Sequence, residues 1–556
     1  MAQNPAEIKE TEPSIAATTG TFADPAMFVA VVLFFSLALF LWWTFDHSYP
    51  FWDGAAHVKD SMAYARLIQH PHIFKLTWIK QFLTVNFDYP LTVHAINGLI
   101  KAIMGFGRAS DMVALLLYQL ILIIAVYKLT YILIKDRVAA ALASAFVCSY
   151  PLVAILSHVP LLDLGYLSFT ALGLAGIAFF KKNPGWWPAV LMGVTLAFGA
   201  TSKQIAVLFL IGPCIMLLLQ ALMGKQWQRV GQLALAAVFP AIGLLLWIVP
   251  NSKALTAWRN YYKNDSTLQG GIVSVFFDHL SHYLIGAVSM LSPWLLLLSV
   301  VAFVYLATKN RDKLQALSIP ICSSVCGLTL ISALALNRPE ERYVVPLAIT
   351  AAVLSGALLS DMFHGAKASR LAASLVVLCT IVQFILFNFT PYPLPASPGA
   401  LQVLYAVAGH NPGQELAEPR PSPTPPGDKW GQEWAIAEIE KSCKGRKTNL
   451  NIMPSTTDLS VHTIDLVCIY AGTQIEPSTF RQFTLHGDMV RYDEPAIKYY
   501  EWYLLKTGYQ GSTLASQPDK DNYKKITMYV ENPSNFSLVG QRDLPDGSIL
   551  KLYHRQ

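Results

Sequence analysis

Apolar runs of near twenty residues, separated by short polar breaks, dominate the chain from about residue 27 to residue 390. The first is "MFVAVVLFFSLALFLWW", Met27 to Trp43, within a run at 27–45. Others follow at 112–134, 139–156, 161–180, 187–201, 204–223, 230–250, 284–308, 314–336, 343–360 and 370–390. In lipid every backbone polar group must be satisfied within the segment, so these runs predict about eleven membrane-crossing helices. Nothing shows the ten-residue alternation of a membrane barrel. The weakest breaks are "SHVPLLD" and "ATSKQ", where the chain hardly leaves the apolar pattern. Merging the runs at both would remove two spans and keep the two ends on the sides they have with eleven.

Composition agrees with that pattern. Of 556 residues, 54% are hydrophobic and only 14% charged, with a mean hydropathy of +0.41, which places the chain among polytopic α-helical membrane proteins. The net charge of +6 is small for this length and offers no argument for nucleic acid. Its distribution says more. Five short loops on one side are basic: Lys135 and Arg137; Lys181 and Lys182; Lys225 and Arg229; Lys309, Arg311 and Lys313; Lys367 and Arg370. The positive-inside rule therefore predicts a cytoplasmic N-terminus, a tail at 1–26, and a C-terminal region outside, in a multi-pass plasma membrane or bacterial inner membrane. The first run follows an acidic tail with no basic n-region or small-residue cleavage site, and is expected to stay as an uncleaved helix.

Three segments on the outside are long: 46–111, 251–283 and everything after about 391. In the first, "AAHVKDSMAYARLIQH" and "TVHAINGLIKAIMGFG" have apolar residues at helical spacing, as helices lying in the interface do. The stretch 391–430 has Pro-rich linker composition ("TPYPLPASPG", "EPRPSPTPPGDK"). Beyond it, 431–556 reads as a small α/β domain, periplasmic or extracellular. A helix is predicted at "WGQEWAIAEIEKSC", a strand at "TNLNIM", and a terminal hairpin around Pro-Asp-Gly in "FSLVGQRDLPDGSILKLYHR". No internal repeat is visible. Of seven cysteines, five (Cys148, Cys214, Cys322, Cys326, Cys379) fall in apolar runs as small buried hydrophobes. Cys443 and Cys468 lie in the polar region, where a disulfide between them is left open.

Polar residues gather where the spans meet the outer loops. Asp53 and His57 are four apart and share a helix face; Asp88 stands in "NFDYPL"; His158 and Asp163 bracket a break; Lys203 stands in "ATSKQ"; His279 and His282 precede the eighth span. "NRPEERYVVPL" adds Arg338, Glu340, Glu341, Arg342 and Tyr343. Ionisable residues at membrane level are costly and mark candidate function. A carboxylate such as Asp53 suits a general base, and Lys203, Arg338 and Arg342 suit phosphate recognition. The bland readings are loop solvation for the acids and interfacial snorkelling for the bases. For the histidines the bland reading is structural, and a divalent metal held by His57, Asp88, His279 or His282 has no diagnostic spacing. No Walker loop, GxGxxG after a strand, HExxH or GxSxG is present. That disfavours nucleotide-driven transport and soluble-type hydrolysis.

The ordered set "YPFWDGAAHVKDSMAYARLI", "FDYPLTVHAINGLIKAIMG", "SYPLVAILSHVPLLDLGYLSFTALGLAGIAFF", "GVTLAFGATSKQ" and "ERYVVPL" resembles the membrane glycosyltransferases of the C-type fold. Within that fold it is most similar to bacterial protein O-mannosyltransferases and lipid A aminoarabinose transferases. The resemblance spans roughly 27–390. It implies transfer of a sugar from a polyprenyl phosphate carrier to a protein, lipid or glycan acceptor on the outer face, with no nucleotide. It further implies Asp53 as catalytic base, Asp163 beside the reaction, and Lys203 with Arg342 and Tyr343 as contacts for the donor phosphate. Two departures stand out. Only Pro90 remains of a proline-proline-leucine turn, and Gly54 replaces a second acid, which leaves acceptor type and metal dependence open. A lipid or polysaccharide transporter of flippase type, or a non-catalytic assembly protein, are the competing readings.

Overall fold

A computed structural model describes residues 23–265, 272–334, 340–389, 430–484 and 487–556. The predicted Pro-rich linker, except Trp430, and Arg338 lie outside the described residues, as does most of the predicted N-terminal tail. The helical part begins with α1 (Ala23–Phe45), α2 (Trp52–Gln69), α3 (Leu76–Leu83), α4 (Thr92–Met104) and α5 (Arg108–Ile134). It continues with α6 (Arg137–Ser149), α7 (Pro151–His158), α8 (Asp163–Lys182), α9 (Trp186–Ser202), α10 (Ala206–Met223) and α11 (Trp227–Asp265). After these come α12 (Ile272–Leu291), α13 (Pro293–Lys309), α14 (Arg311–Ala316), α15 (Ser318–Ala333), α16 (Leu347–His364) and α17 (Lys367–Phe389).

Each predicted span falls on one helix or on two consecutive ones, but not every helix is a full span. Among the described residues seven helices (α1, α5, α8, α10, α11, α16 and α17) are long and apolar enough to cross a membrane. The 23 residues of α1 reach about 34 Å at 1.5 Å per residue, enough for a hydrocarbon core of about 30 Å. Two pairs, α6 with α7 bent by 68° and α12 with α13 bent by 105°, are together apolar and long enough as well, which brings the number up to nine if each bent pair is one span. Proline explains both bends. Pro151 and Pro293 open the second helix of each pair, and the residues before them, Tyr150 and Ser292, leave the helical region. The predicted spans at 187–201 and 314–336 become α9, with 17 residues, and α15, with 16. Both are short for a full crossing.

In the first loop, α2 is not the surface helix its pattern predicts. Its buried face, Ala55, Val58, Met62 and Tyr64 among others, packs against α4 on one side and the C-terminal domain on the other. The short α3 instead carries the uncovered apolar residues: Phe74 just before it is 97% exposed and Leu76 79%.

The C-terminal part runs α18 (Gln432–Cys443), β1 (Thr448–Ile452), α19 (Val461–Ala471), β2 (Ile475–Ser478), β3 (Arg481–Thr484) and β4 (Gly487–Val490). Then follow α20 (Glu494–Tyr499), β5 (Trp502–Lys506), α21 (Gln517–Val530), β6 (Phe536–Asp543) and β7 (Ile549–Arg555). Five strands form one mixed sheet in the order β2-β1-β5-β7-β6, with β1 parallel to both β2 and β5 and β7 antiparallel to β5 and β6. The central β5 is buried along its whole length, as expected of a strand covered on both faces. The thiols of Cys443 and Cys468 are free and both buried in one core layer with Ile436, Leu450 and Trp502. The bridge left open by the sequence is not formed; both residues pack as small hydrophobes.

This domain is seated on the first-loop helices. Leu466 of α19 joins Ala55, Val58 and Met62 of α2 in one apolar cluster, and Lys59 pairs with Asp465. Tyr470 donates to Asp111 at 3.1 Å. The other carboxylate oxygen of Asp111 accepts from the buried Lys101 at 2.5 Å.

Candidate active site

Four chain breaks meet at one end of the bundle. Phe51 is extended before α2, and Trp52 takes a φ of 29°, a sparsely populated conformation for a bulky residue. Asp53 follows in the first turn of α2, and Asp163 is the first residue of α8. Both carboxylates thus sit at helix N-termini, where exposed amide groups favour negative charge. Lys203 caps the C-terminus of α9 in extended conformation, the favourable end for a cation. Arg342 and Tyr343 lie in a 3-10 turn, Glu341–Val344, that leads into α16.

Arg342 stands at the centre. Its Nη2 donates to Asp53 Oδ2 at 2.9 Å, its Nη1 lies 3.8 Å from Asp163 Oδ2, and its Nε donates to Glu340. Lys203 donates to the other oxygen of Asp163 at 2.7 Å. The Lys203 ammonium also faces three rings, Tyr343 at 4.9 Å, Tyr89 at 5.7 Å and Tyr166 at 5.9 Å. Tyr166 in turn donates to the Tyr343 carbonyl at 3.0 Å. Asp163 and Lys203 are buried, while the Asp53 side chain is 54% exposed. Burial of its surroundings pushes the Asp53 carboxyl up, but Arg342, then His57 and Lys203, outweigh this and hold it below its ordinary value. Asp53 is therefore ionised at neutral pH and reachable from solvent.

Asp88 lies in the turn before α4. Its carbonyl accepts from Gln204 at 3.2 Å, which ties that turn to the Lys203 break, and its Oδ1 has no hydrogen-bond partner among the described residues. Burial, and then the charge of Asp53, push its carboxyl up. Gly54, the second departure from the resembling pattern, packs against the chain before α8: an added Cβ would stand 3.4 Å from Val159 Cγ1. That is ordinary van der Waals contact, so nothing in the local packing requires a glycine there.

The histidines separate. His158 is buried and stacks flat on Trp42 at 4.0 Å, a packing role. On α12, His282 lies 3.5 Å from Glu341, one turn after the buried His279. His57 points instead to His94, with Nδ1 and Nε2 3.1 Å apart, and Asp60 completes a group whose ligand atoms all lie within 4.8 Å of one another. Asp88, His279 and His282 do not belong to it. Burial pushes His57 down to about 4 and His94 well below its ordinary value, so both rings are neutral at pH 7. Burial pushes Asp60 up to about 6. The metal options read from the sequence included His57 but not Asp60 or His94. Helical spacing gave a signal for Asp60, three residues after His57; nothing local marks His94.

Three comparisons bear on this geometry. The family model for dolichyl-phosphate-mannose-protein mannosyltransferase matches residues 112–261. No curated protein matches the sequence. Among solved structures, ArnT from Cupriavidus metallidurans bound to undecaprenyl phosphate is similar over 96% of this chain and 98% of its own, with a TM-score of 0.56 and 12% identity. The Archaeoglobus fulgidus oligosaccharyltransferase in complex with Zn and sulfate is similar over 94% of this chain and 72% of its own, with a TM-score of 0.52 and 14% identity. The chain has the C-type fold of these membrane glycosyltransferases, followed by a sheet-containing C-terminal domain.

Proposed function

We propose that the protein is a membrane glycosyltransferase that moves a hexose or pentose from a polyprenyl phosphate donor to a protein, lipid or glycan acceptor. The N-terminus lies in the cytoplasm, and the domain at 431–556 lies on the periplasmic or extracellular side, where transfer occurs. The observation that carries this reading is that Asp53, Asp163, Lys203, Arg342 and Tyr343, drawn from four separate segments, converge in one ion-pair network. The family match and the lipid carrier named for ArnT support the donor class.

The chemistry is a single displacement with inversion. Asp53 takes the proton from the acceptor hydroxyl or amine as that atom bonds to the anomeric carbon. The bond from that carbon to the phosphate oxygen breaks, its electron pair leaves with the polyprenyl phosphate, and Asp53 later returns its proton to water. Arg342 and Lys203 face the charge that develops on the leaving phosphate. Asp53 held by Arg342 is a weak base. A donor phosphate that draws Arg342 away makes Asp53 more basic, so donor binding itself arms the base.

The test is transfer of labelled sugar from a polyprenyl phosphate donor by the purified full chain, with membrane extract as acceptor. Wild type transfers; Asp53→Asn, equally folded, does not. A wild type that binds donor tightly and never transfers, over several sugars and acceptors, sinks the reading in favour of transport or scaffolding.

A further inference from the structure

We propose that His57, Asp60 and His94 form a binding site for one divalent cation of the zinc class, clamped between α2 and α4. The inference stands apart from the glycosyltransferase reading, because it rests on a donor set behind the Asp53 network and is tested without any sugar transfer.

Helix geometry and tertiary packing each supply part of the set. His57 and Asp60 are three residues apart on α2 and project from one face. His94 comes from the first turn of α4, across the tight α2–α4 contact. Two imidazole nitrogens that share a tetrahedral zinc ion at about 2.0–2.1 Å stand about 3.3 Å apart. Here His57 Nδ1 and His94 Nε2 are 3.1 Å apart, and Asp60 Oδ2 is 3.8 Å from His94 Nε2. Small rotations about χ angles close the remaining difference. Two neutral imidazoles and one carboxylate suit zinc; the oxygen-seeking magnesium and calcium would be poorly served.

The surroundings support a ligand role. The two histidine side chains are buried, so the exchange of water for protein has already been made. Asn86 Nδ2 donates to Asp60 Oδ2 at 2.5 Å and its Oδ1 accepts from the Tyr89 amide, which fixes the carboxylate from behind. Such outer hydrogen bonds orient metal ligands. Tyr89 packs edge-on to His57, and Tyr64 lies parallel to His94. Without a cation the two rings share a single hydrogen bond, between His57 Nδ1 and His94 Nε2. A cation here would lock α2 to α4 one helical turn beyond Asp53, a positioning role for the base.

The full chain in detergent, stripped with a chelator and dialysed against Zn²⁺, is expected to hold about one zinc per chain. Co²⁺ in its place should give the visible absorption of a low-coordinate nitrogen and oxygen site. His57→Asn and His94→Asn each lower zinc affinity more than about 100-fold, while the double variant His279→Asn/His282→Asn leaves it unchanged. Zinc, but not Mg²⁺, raises the melting temperature of wild type, a readout that needs no variant to fold. Wild type that takes up no stoichiometric zinc overturns the proposal. So does zinc that persists in His57→Asn and His94→Asn but is lost with His279 and His282.

Discussion

Arg342 and Arg481 are both paired with aspartate, yet the two pairs behave as different devices. In the C-terminal domain Arg481 is 3% exposed and holds Asp488 at 2.7 Å, with the Ser512 carbonyl at 3.1 Å and the Tyr523 ring at 5.3 Å. One cation meets one anion, out of water. At the bundle end Arg342 is 20% exposed and divides itself among Asp53, Asp163 and Glu340. A one-to-one buried pair stabilises a fold and has no other state to adopt. A cation shared by three acids can give one of them up at small cost, which is what a site must do when a phosphate arrives.

This contrast is broken most directly at its anionic partners. Asp53→Asn should lower transfer about 10²- to 10⁴-fold, the usual worth of a general base, with the melting temperature unchanged because Arg342 keeps two acids. Asp488→Asn should do the reverse. It strands the buried Arg481 and should cost about 3–5 kcal/mol of domain stability in denaturant unfolding, with transfer per folded molecule preserved. Equal stability loss in both variants would erase the distinction.

Smaller effects sharpen the picture of what holds Asp53. At Gly98 on α4 an added Cβ would lie 2.6 Å from Tyr64 Cβ and 3.0 Å from the Ser61 carbonyl oxygen. Gly98→Ala should therefore push α4 from α2 and cost about 1–3 kcal/mol, read as a lowered melting temperature. The smallest effect is a pH shift. As the proposed base Asp53 would work ionised, and Arg342 holds its carboxyl low, so the acid limb of kcat/KM is expected below the ordinary carboxylate range in wild type. In Arg342→Gln the residual activity should show that limb moved to higher pH. An unmoved limb assigns it to another group.

Much of the fold is legible in the chain because bilayer chemistry writes in long runs. The spans, the helix at α18, the strand β1 and the hairpin β6–β7 around Pro545-Asp546-Gly547 all fall where the pattern places them. What the pattern overstates is span length: α9 and α15 are apolar but short, and two prolines bend what reads as continuous. It also misplaces α2, whose amphipathic face matches a lipid surface as well as it matches α19. Periodicity reports that a face is apolar and is silent about what covers it. The acids and bases of the site are visible as charges at span ends, since lipid makes such charges conspicuous. Their pairing, and the meeting of His57 with His94, depends on contacts between residues 37 to 289 positions apart, which local pattern does not encode.

The seating of α19 on α2 has a consequence for how the molecule is made. Asp53 is synthesised among the first tenth of the chain, while Leu466, Asp465 and Tyr470, which cover and brace its helix, emerge more than four hundred residues later. Domains fold as they leave the ribosome, so the bundle takes shape around a first loop still lacking its lid. The nascent protein therefore passes through a stage in which the helix that carries Asp53 has not yet met α19. The contact that braces the helix of Asp53 forms only once α19 has been made.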